Sequence, residues 1–518
     1  MYVDLVGSSL SSSFREFAVA TSVTILLVSW IRALLKDRRA KPNLPMVGRD
    51  GFIGTYITAF RFALNQRSVL EEGYAMYKER SFMIPELTGW RIMFSSSDVV
   101  NEIKGASEEL LSATDATRDV LQSQYTVGDE IHTNPYHLTI IRTHLTRNLE
   151  TVIPDLLDEI PQAFKSLIPE SAKDAEGWIS VKGFETVIHI IAQVSNRIFV
   201  GAPLCHNSDY IRLITKFAED VMISATIIGV FPNALKPIVA WVLGTCERRT
   251  DAVLKHTHSI LEERLASIKE KGRNYEGKPS DLLSWCIDAA TGDAATPRNL
   301  TRRLLGVNFA SLHTTSISLT HVLYALASRP EYVTPLREEV EEAIIDGGWT
   351  QEAINSCLKM DSFFKETERL LGLGASTMTR RLMKNHTFVD GSFVPAGATV
   401  SVFTTARHRD SGAYGENAHE FDGFRFCRNS ENDDNDASHH FVTTSPDFVF
   451  FGHGKHSCPG RYFAASEMKA IFAYIIRNFD IKFSDGFTPR EVWFGASCIP
   501  DISAQLLFRR RFSSSPPL

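Results

Sequence analysis

Between about residues 60 and 380, apolar residues recur at spacings of three and four, interrupted by short groups of Gly, Pro, Asn or Asp. That period predicts a succession of amphipathic helices separated by turns. Strand-like pieces are sparse: Arg91 to Phe94, Thr387 to Val389 and Thr399 to Phe403, with turn signals at Asp390-Gly391 and Pro395-Ala396-Gly397. The expected fold class is therefore mainly α with small peripheral β-sheets, an α+β arrangement without internal repeats. One helix is expected to be very long. Thr296 suits an N-cap, Pro297 suits the first helical position, and the next proline is Pro330, so about 32 residues run unbroken over roughly 48 Å. Its centre, Val307 to Ser316, mixes apolar residues with Asn308, Ser311, His313, Thr314 and Thr315. Polar groups inside a buried helix need partners, or they line a site where chemistry uses them.

The amino-terminal region has a different pattern. Phe17 to Ile31 carries no charge, and Ala33 to Leu35 extend the apolar run past Arg32. A membrane span needs roughly 20 residues, and Arg32 can snorkel its head group to the interface. Arg32, Lys36, Arg38, Arg39 and Lys41 cluster at the far end, whereas Arg15 is the only positive residue ahead of the run. This asymmetry favours an uncleaved anchor over a secretory signal peptide and places the downstream body in the cytosol. The expected organisation is a short lumenal segment at 1–16, a transmembrane anchor at 17–35, a basic, proline-containing linker at 36–50, one body at 51–512 and a frayed tail at 513–518. The acidic run Asn429 to Asp436 is expected to be a solvated loop.

Composition narrows the class further. The chain has 518 residues, a formal net charge of −6, 44% hydrophobic and 22% charged residues, which fits neither a disordered chain nor a polytopic membrane protein. The charge balance gives no reason to expect a nucleic-acid partner. Seven cysteines, at 205, 246, 286, 357, 427, 458 and 498, include no Cys-x-x-Cys pair, so a disulfide scaffold is not expected and a reducing compartment is.

The strongest chemical signal runs from Phe451 to Arg461: Phe-Gly-His-Gly-Lys-His-Ser-Cys-Pro-Gly-Arg. It places Cys458 on a glycine-permitted loop just before an amphipathic helix at Arg461 to Asn478, where backbone amides and the helix dipole favour an anionic sulfur. By itself such a cysteine fits a nucleophile, a single metal ligand or a small buried side chain.

The complete string resembles the cytochrome P450 family of haem-thiolate monooxygenases, whose iron ligand lies in a Phe-x-x-Gly-x-x-x-Cys-x-Gly loop matched by Phe451, Gly454, Cys458 and Gly460. The resemblance implies a P450-like fold with an N-terminal transmembrane helix, a haem-thiolate catalytic domain over 51–512, and haem b (iron protoporphyrin IX) on the Cys458 thiolate, which pushes electron density toward oxygen. His456 stands where many members carry arginine and could donate to a haem propionate. Arg142 matches the end of the family's Trp-x-x-x-Arg helix, although Leu138 occupies the tryptophan position. Arg380 matches an arginine that reaches a propionate, with Arg381 as a possible substitute. Glu366 and Arg369, three apart on a helix, would join Arg425 of the segment Phe421 to Phe426 in a buried structural ion network; taken alone, the first two would be a surface pair.

The same resemblance aligns Ala310 to Thr315 with the family's oxygen-side helix motif. Thr314 would be the hydroxyl that helps deliver protons, and His313 replaces the usual acid, either as part of an altered relay or as a group bonded to neighbouring helix atoms. Expected pocket residues are Phe309, Ala310, Leu312, Ser376 and Met378. The implied partners are an NADPH-dependent flavoprotein reductase, a small b-type cytochrome, membrane lipid and a lipophilic small-molecule substrate. Lys455 and Arg461 are candidates to face the reductase. The similarity to fungal secondary-metabolism enzymes points to a terpenoid substrate, of diterpene or indole-diterpene type, and to the endoplasmic reticulum membrane. A reductase-independent isomerase or dehydratase and a non-enzymatic haem sensor are the alternative classes.

Overall fold

The computed structural model describes residues 41–78, 80–87, 89–430 and 439–511. The expected lumenal segment and anchor, the start of the linker, most of the acidic run and the tail at 513–518 lie outside the described residues. Among the described residues, no helix is long and apolar enough to cross a membrane.

The architecture is organised around the helix Pro297–Ala327. The Thr296 hydroxyl accepts from the Asn299 amide, Pro297 opens the first turn, and the helix ends at Ala327, three residues before Pro330. Its 31 residues span roughly 46 Å. Helices Gly183–Phe199, Ser208–Val230, Thr245–Lys271, Leu358–Leu370 and Arg461–Asn478 all pack against it. From Thr315 to Leu326 nearly every residue is buried, so this segment has no solvent face and its sequence shows little amphipathic contrast.

A five-stranded sheet lies beside the helical body, in the order Phe82–Glu86, Gly89–Phe94, Thr399–Phe403, Ser376–Leu382, Leu111–Ser112. The second and third strands pair in parallel, with Arg91 opposite Thr399; the other pairs are antiparallel. Pro85 is tolerated because its strand is at the edge, where the missing amide interrupts no inner ladder. A three-stranded sheet joins Trp178–Lys182, Gln505–Arg510 and Phe479–Lys482.

The strand expected at Thr387 to Val389 is corrected. Only His386–Thr387 pairs, with Phe393–Val394. Phe388 ends the ladder, its amide donating to the Ser392 carbonyl at 3.0 Å and its carbonyl accepting from the Gly391 amide at 2.8 Å; its ring packs on Phe94, with centroids 4.6 Å apart, while Val389 stays exposed. The tight turn through Asp390-Gly391, with Gly391 at φ +82°, cuts the strand short.

Candidate active site around Cys458

The loop preceding the helix Arg461–Asn478 is shaped by glycine. Gly452 and Gly454 have φ of +70° and +79°, and a Cβ on Gly454 would lie 2.4 Å from the Lys104 Cγ, so a side chain there is excluded by both conformation and space. The Cys458 amide donates to the Phe451 carbonyl at 2.8 Å, closing the loop. The Phe451 ring is held against Phe441 and Phe450, with centroids 5.2 and 4.6 Å away. Gly460 occupies the N-cap position of the following helix.

All seven cysteines are free. Burial pushes the thiols of Cys205, Cys286, Cys357 and Cys498 up to about 12 and that of Cys246 up to about 11. Cys458 alone is exposed, yet protein atoms crowd around it and burial raises its thiol as well, against the backbone amides of Gly460 and Arg461 and the Arg461 charge. Both properties belong to a residue on the wall of an internal cleft. Its sulfur can therefore be approached, and a metal bound there would displace the thiol proton.

A cationic group of side chains stands beside this loop. Arg142 lies on the π-helical turn Ile141–Leu145 and donates to the Lys455 carbonyl at 3.1 Å. Arg380 is buried and donates to the Thr379 carbonyl at 2.9 Å. His456 Nε2 is 3.1 Å from Glu108 Oε1, an ion-pair distance without the alignment of a hydrogen bond. Burial and the charge of Arg380 lower the His456 pKa, with Lys455 and Arg142 acting in the same sense and Glu108 opposing. Burial would raise the Glu108 carboxyl, but hydrogen bonds from Ser112 and the Ala113 amide, together with His456, bring it below its ordinary value. Arg380 and His456 thus share one acidic neighbour, Glu108, with Arg142 acting on His456 beside them, and the group retains capacity for further anions. Glu108 carries no sequence mark that would have singled it out.

Strand alternation separates the two candidate arginines. Arg380 faces the His456 side, whereas Arg381 is turned to Asp119, 3.8 Å away, and lines a cavity of about 600 Å³. Phe62, Val120, Ala225, Val230 and Phe231 supply much of the cavity's apolar wall. Neither Cys458 nor Thr314 lines it.

At the centre of the long helix, Ala310 and Thr314 are exposed, although Leu304, Leu305, Leu312, Thr315 and Ser316 around them are buried. Open positions one turn apart in the middle of a sealed helix mark a cleft along one stripe. The Thr314 hydroxyl donates to the carbonyls of Ala310 and Ser311, at 2.9 and 3.2 Å. His313 points elsewhere: its Nε2 lies 3.4 Å from the Thr215 carbonyl on the helix Ser208–Val230, and burial lowers its pKa. Asn308 is satisfied internally, accepting from Asn196 at 2.8 Å and donating to Leu304 O at 3.0 Å.

Two expected pocket residues are core instead. Leu312 has no exposed surface, and Met378, at a strand irregularity with φ of +51°, packs into the apolar cluster of Ile92, Phe94 and Val400. A sealed side chain has no surface to offer a substrate. Phe309 and Ser376 are half-buried, Phe309 against the main core and Ser376 opposite Phe403 in the sheet.

Behind the site, Arg369 grips Glu366 through two bonds, Nε to Oε2 at 2.7 Å and Nη2 to Oε1 at 2.8 Å. Arg425 Nε reaches Glu366 Oε1 at 3.3 Å, and the Asp422 amide donates to the same oxygen at 2.9 Å. The remaining guanidinium hydrogens go to carbonyls of His408, Ala418, Glu420, Tyr414 and Asn417 and to the Asn417 side chain. The network locks the helix Leu358–Leu370 to the segment leading toward the Cys458 loop.

The donor set fits haem: one approachable sulfur at a helix start, with a cationic cradle suited to two carboxylates. The family model of cytochrome P450 matches residues 69–503. Cytochrome P450 monooxygenase 151 of Postia placenta is 38% identical over 90% of this chain and 94% of its own length. Cytochrome P450 monooxygenase AN1598 of Emericella nidulans is 32% identical over 98% of this chain and 94% of its own. The fold matches a retinoic-acid-bound cyanobacterial structure, CYP120A1, with a TM-score of 0.69 and 19% identity, covering 91% of this chain and 99% of that one. With this loop, this fold and these relatives, the chain belongs to the cytochrome P450 family and is a monooxygenase.

Proposed function

We propose that this monooxygenase oxidises a bulky lipophilic secondary metabolite, a terpenoid of diterpene or indole-diterpene type, at the cytosolic face of the endoplasmic reticulum membrane. The reading is carried by Cys458, the one exposed thiol of seven, on a glycine-shaped loop at a helix start. Bound there, haem supplies the activation of dioxygen and the insertion of one of its atoms into a C–H bond, the other leaving as water. Arg142, Arg380 and His456 hold its carboxylates. Ala310, with only a methyl group, would let the long helix approach closely, and the Thr314 hydroxyl, turned from the Ala310 and Ser311 carbonyls, would give its proton at Oγ1 and take another from water in the cleft. His313, kept neutral by burial and turned toward Thr215, holds the long helix to the helix Ser208–Val230.

The lipophilic character rests on the surroundings of the 600 Å³ cavity. It is bordered by the helix Phe52–Leu64 and the stretch Ala225 to Lys236; the first exposes Phe52, Ile53, Phe60 and Leu64, and the helix Lys236–Leu243 that continues from the second exposes Ile238, Trp241 and Val242. Apolar surface of this extent suits a membrane that both holds the protein and stores its substrate. Electrons come from NADPH through a separate flavoprotein reductase, with a small b-type cytochrome as a second donor; exposed Lys455, beside Arg461, offers basic surface to an acidic partner.

The ferrous carbon monoxide spectrum tests this reading. The purified chain should show the strongly red-shifted Soret band of thiolate ligation, and Cys458→Ala should abolish that band and all turnover. A normal band in the variant would remove the assignment. Turnover of diterpenes and indole diterpenes with and without NADPH and reductase tests the substrate class and the electron source.

A further inference from the structure

A second constellation lies outside the Cys458 site. Glu159 belongs to the helix Leu149–Leu167, and Cys205 and His206 to the short turn Leu204–His206 that leads into the helix Ser208–Val230. His206 Nε2 is 2.9 and 3.0 Å from the two Glu159 oxygens, and Cys205 Sγ is 3.9 Å from Glu159 Oε2. One ligand atom from each residue lies within 4.8 Å of the other two. Glu159 and Cys205 are sealed, whereas 39% of the His206 side chain is exposed, so the group has one open side.

We propose that Glu159, Cys205 and His206 form a binding site for a zinc-class divalent cation, with water completing the coordination on the side of His206. Zinc bonds of roughly 2.0–2.3 Å spread tetrahedral ligand atoms roughly 3.2–3.8 Å apart, so shifts of about half an ångström bring these three into place. Thiolate, imidazole and carboxylate together select zinc over calcium or magnesium, which take oxygen ligands. The outer shell is already present: Gln193 Nε2 donates to Glu159 Oε1 at 2.6 Å and orients the carboxylate. Without a cation, burial and the adjacent Glu159 push the Cys205 thiol up to about 12. On binding, the thiol proton leaves to solvent, while sulfur and carboxylate share the positive charge; the other charged group facing the thiol, Arg197, is paired with Asp155 at 2.7 Å. A bound ion would clamp the helix Leu149–Leu167 to the start of the helix whose far end lines the cavity.

The test uses the full-length, haem-loaded protein, stripped with a chelator and equilibrated with zinc chloride alone. Equilibrium dialysis with elemental analysis is expected to give one zinc per chain with a dissociation constant tighter than about 10 µM, and zinc should raise the melting temperature. His206→Asn and Cys205→Ser should each weaken binding at least about tenfold, while Cys427→Ser should leave it unchanged. Absence of bound zinc, or one zinc bound with undiminished affinity by both variants, overturns the proposal. Haem content and the zinc-free melting temperature show whether each variant is folded. Should Cys205→Ser fail to fold, His206→Asn, which alters a partly exposed side chain, decides the outcome.

Discussion

The region beneath the Cys458 loop and the region around the cavity mouth treat polarity in opposite ways. In the first, charge is inside and answered: Glu366 and Arg369 have no exposed side-chain surface, and the carbonyls of five residues between His408 and Glu420 take up the spare hydrogens of the arginines. In the second, apolar groups are outside and unanswered: Trp241 is 82% exposed, and the helix Lys236–Leu243 buries no residue. Internal geometry therefore determines the first region, and a medium outside the chain determines the second. Substitutions in the first should register as lost folding; in the second they should leave folding intact and alter association.

The most severe way to break the first region is Glu366→Gln. Two arginines and the Asp422 amide converge on this carboxylate, and its neutral amide would leave two buried cations without their counter-charge. A cost of about 3–5 kcal/mol is expected, seen as a lowered urea midpoint and haem loss during purification. A variant with wild-type midpoint and haem content would show that the network contributes little.

Two residues along the same helix, Glu368 sharpens the contrast. It is fully buried beside Ser318, but neither carboxyl oxygen has a hydrogen-bond partner of good geometry, and burial pushes its pKa up to about 8 from 4.5. A pKa raised on folding gives a contribution that is complete below about 4.5 and lost as pH rises through about 8. Glu368→Gln cannot ionise. Apart from a constant offset for its extra amide hydrogens, it should gain on the wild type between pH 5 and 8.5, by an amount on the order of a few kcal/mol. Urea midpoints at pH 5, 7 and 8.5 measure the gain, and parallel curves would refute it. Some slope remains in the variant, because burial also raises Glu467 to about 8, against a bond from Ser195.

The features legible in the sequence are those whose cause is local or tied to one motif. The long helix announces itself through Thr296 and Pro297, and the Cys458 loop through its glycines, because caps and left-handed turns depend on adjacent residues. Glu366 and Arg369 meet because they are three apart on a helix. Properties decided by which way a side chain turns were not legible. Arg380 and Arg381 differ only by the alternation of a strand, His313 faces Thr215 rather than the stripe of Thr314, and Leu312 and Met378 are claimed by the core. Glu159 and His206 are 47 positions apart, with no spacing to mark them, and meet only because helices pack.

The mouth should show the smallest effect on stability and the clearest effect on association. Trp241→Ser with Val242→Ser removes two side chains that are 82% and 67% exposed, so the folded body loses few contacts and the urea midpoint should stay within about 0.5 kcal/mol of the wild type. A large apolar side chain taken fully out of water contributes about 1.5–3 kcal/mol, and a bilayer against this face would supply that gain. In the full-length protein on phosphatidylcholine vesicles, hydrogen exchange of the Lys236–Leu243 amides should slow on vesicle addition, and this slowing should shrink in the double variant. If the variant instead unfolds readily, these side chains belong to the body after all. If exchange is indifferent to vesicles in both proteins, the exposed apolar face answers to something other than a bilayer, and the proposed membrane origin of the substrate loses its support.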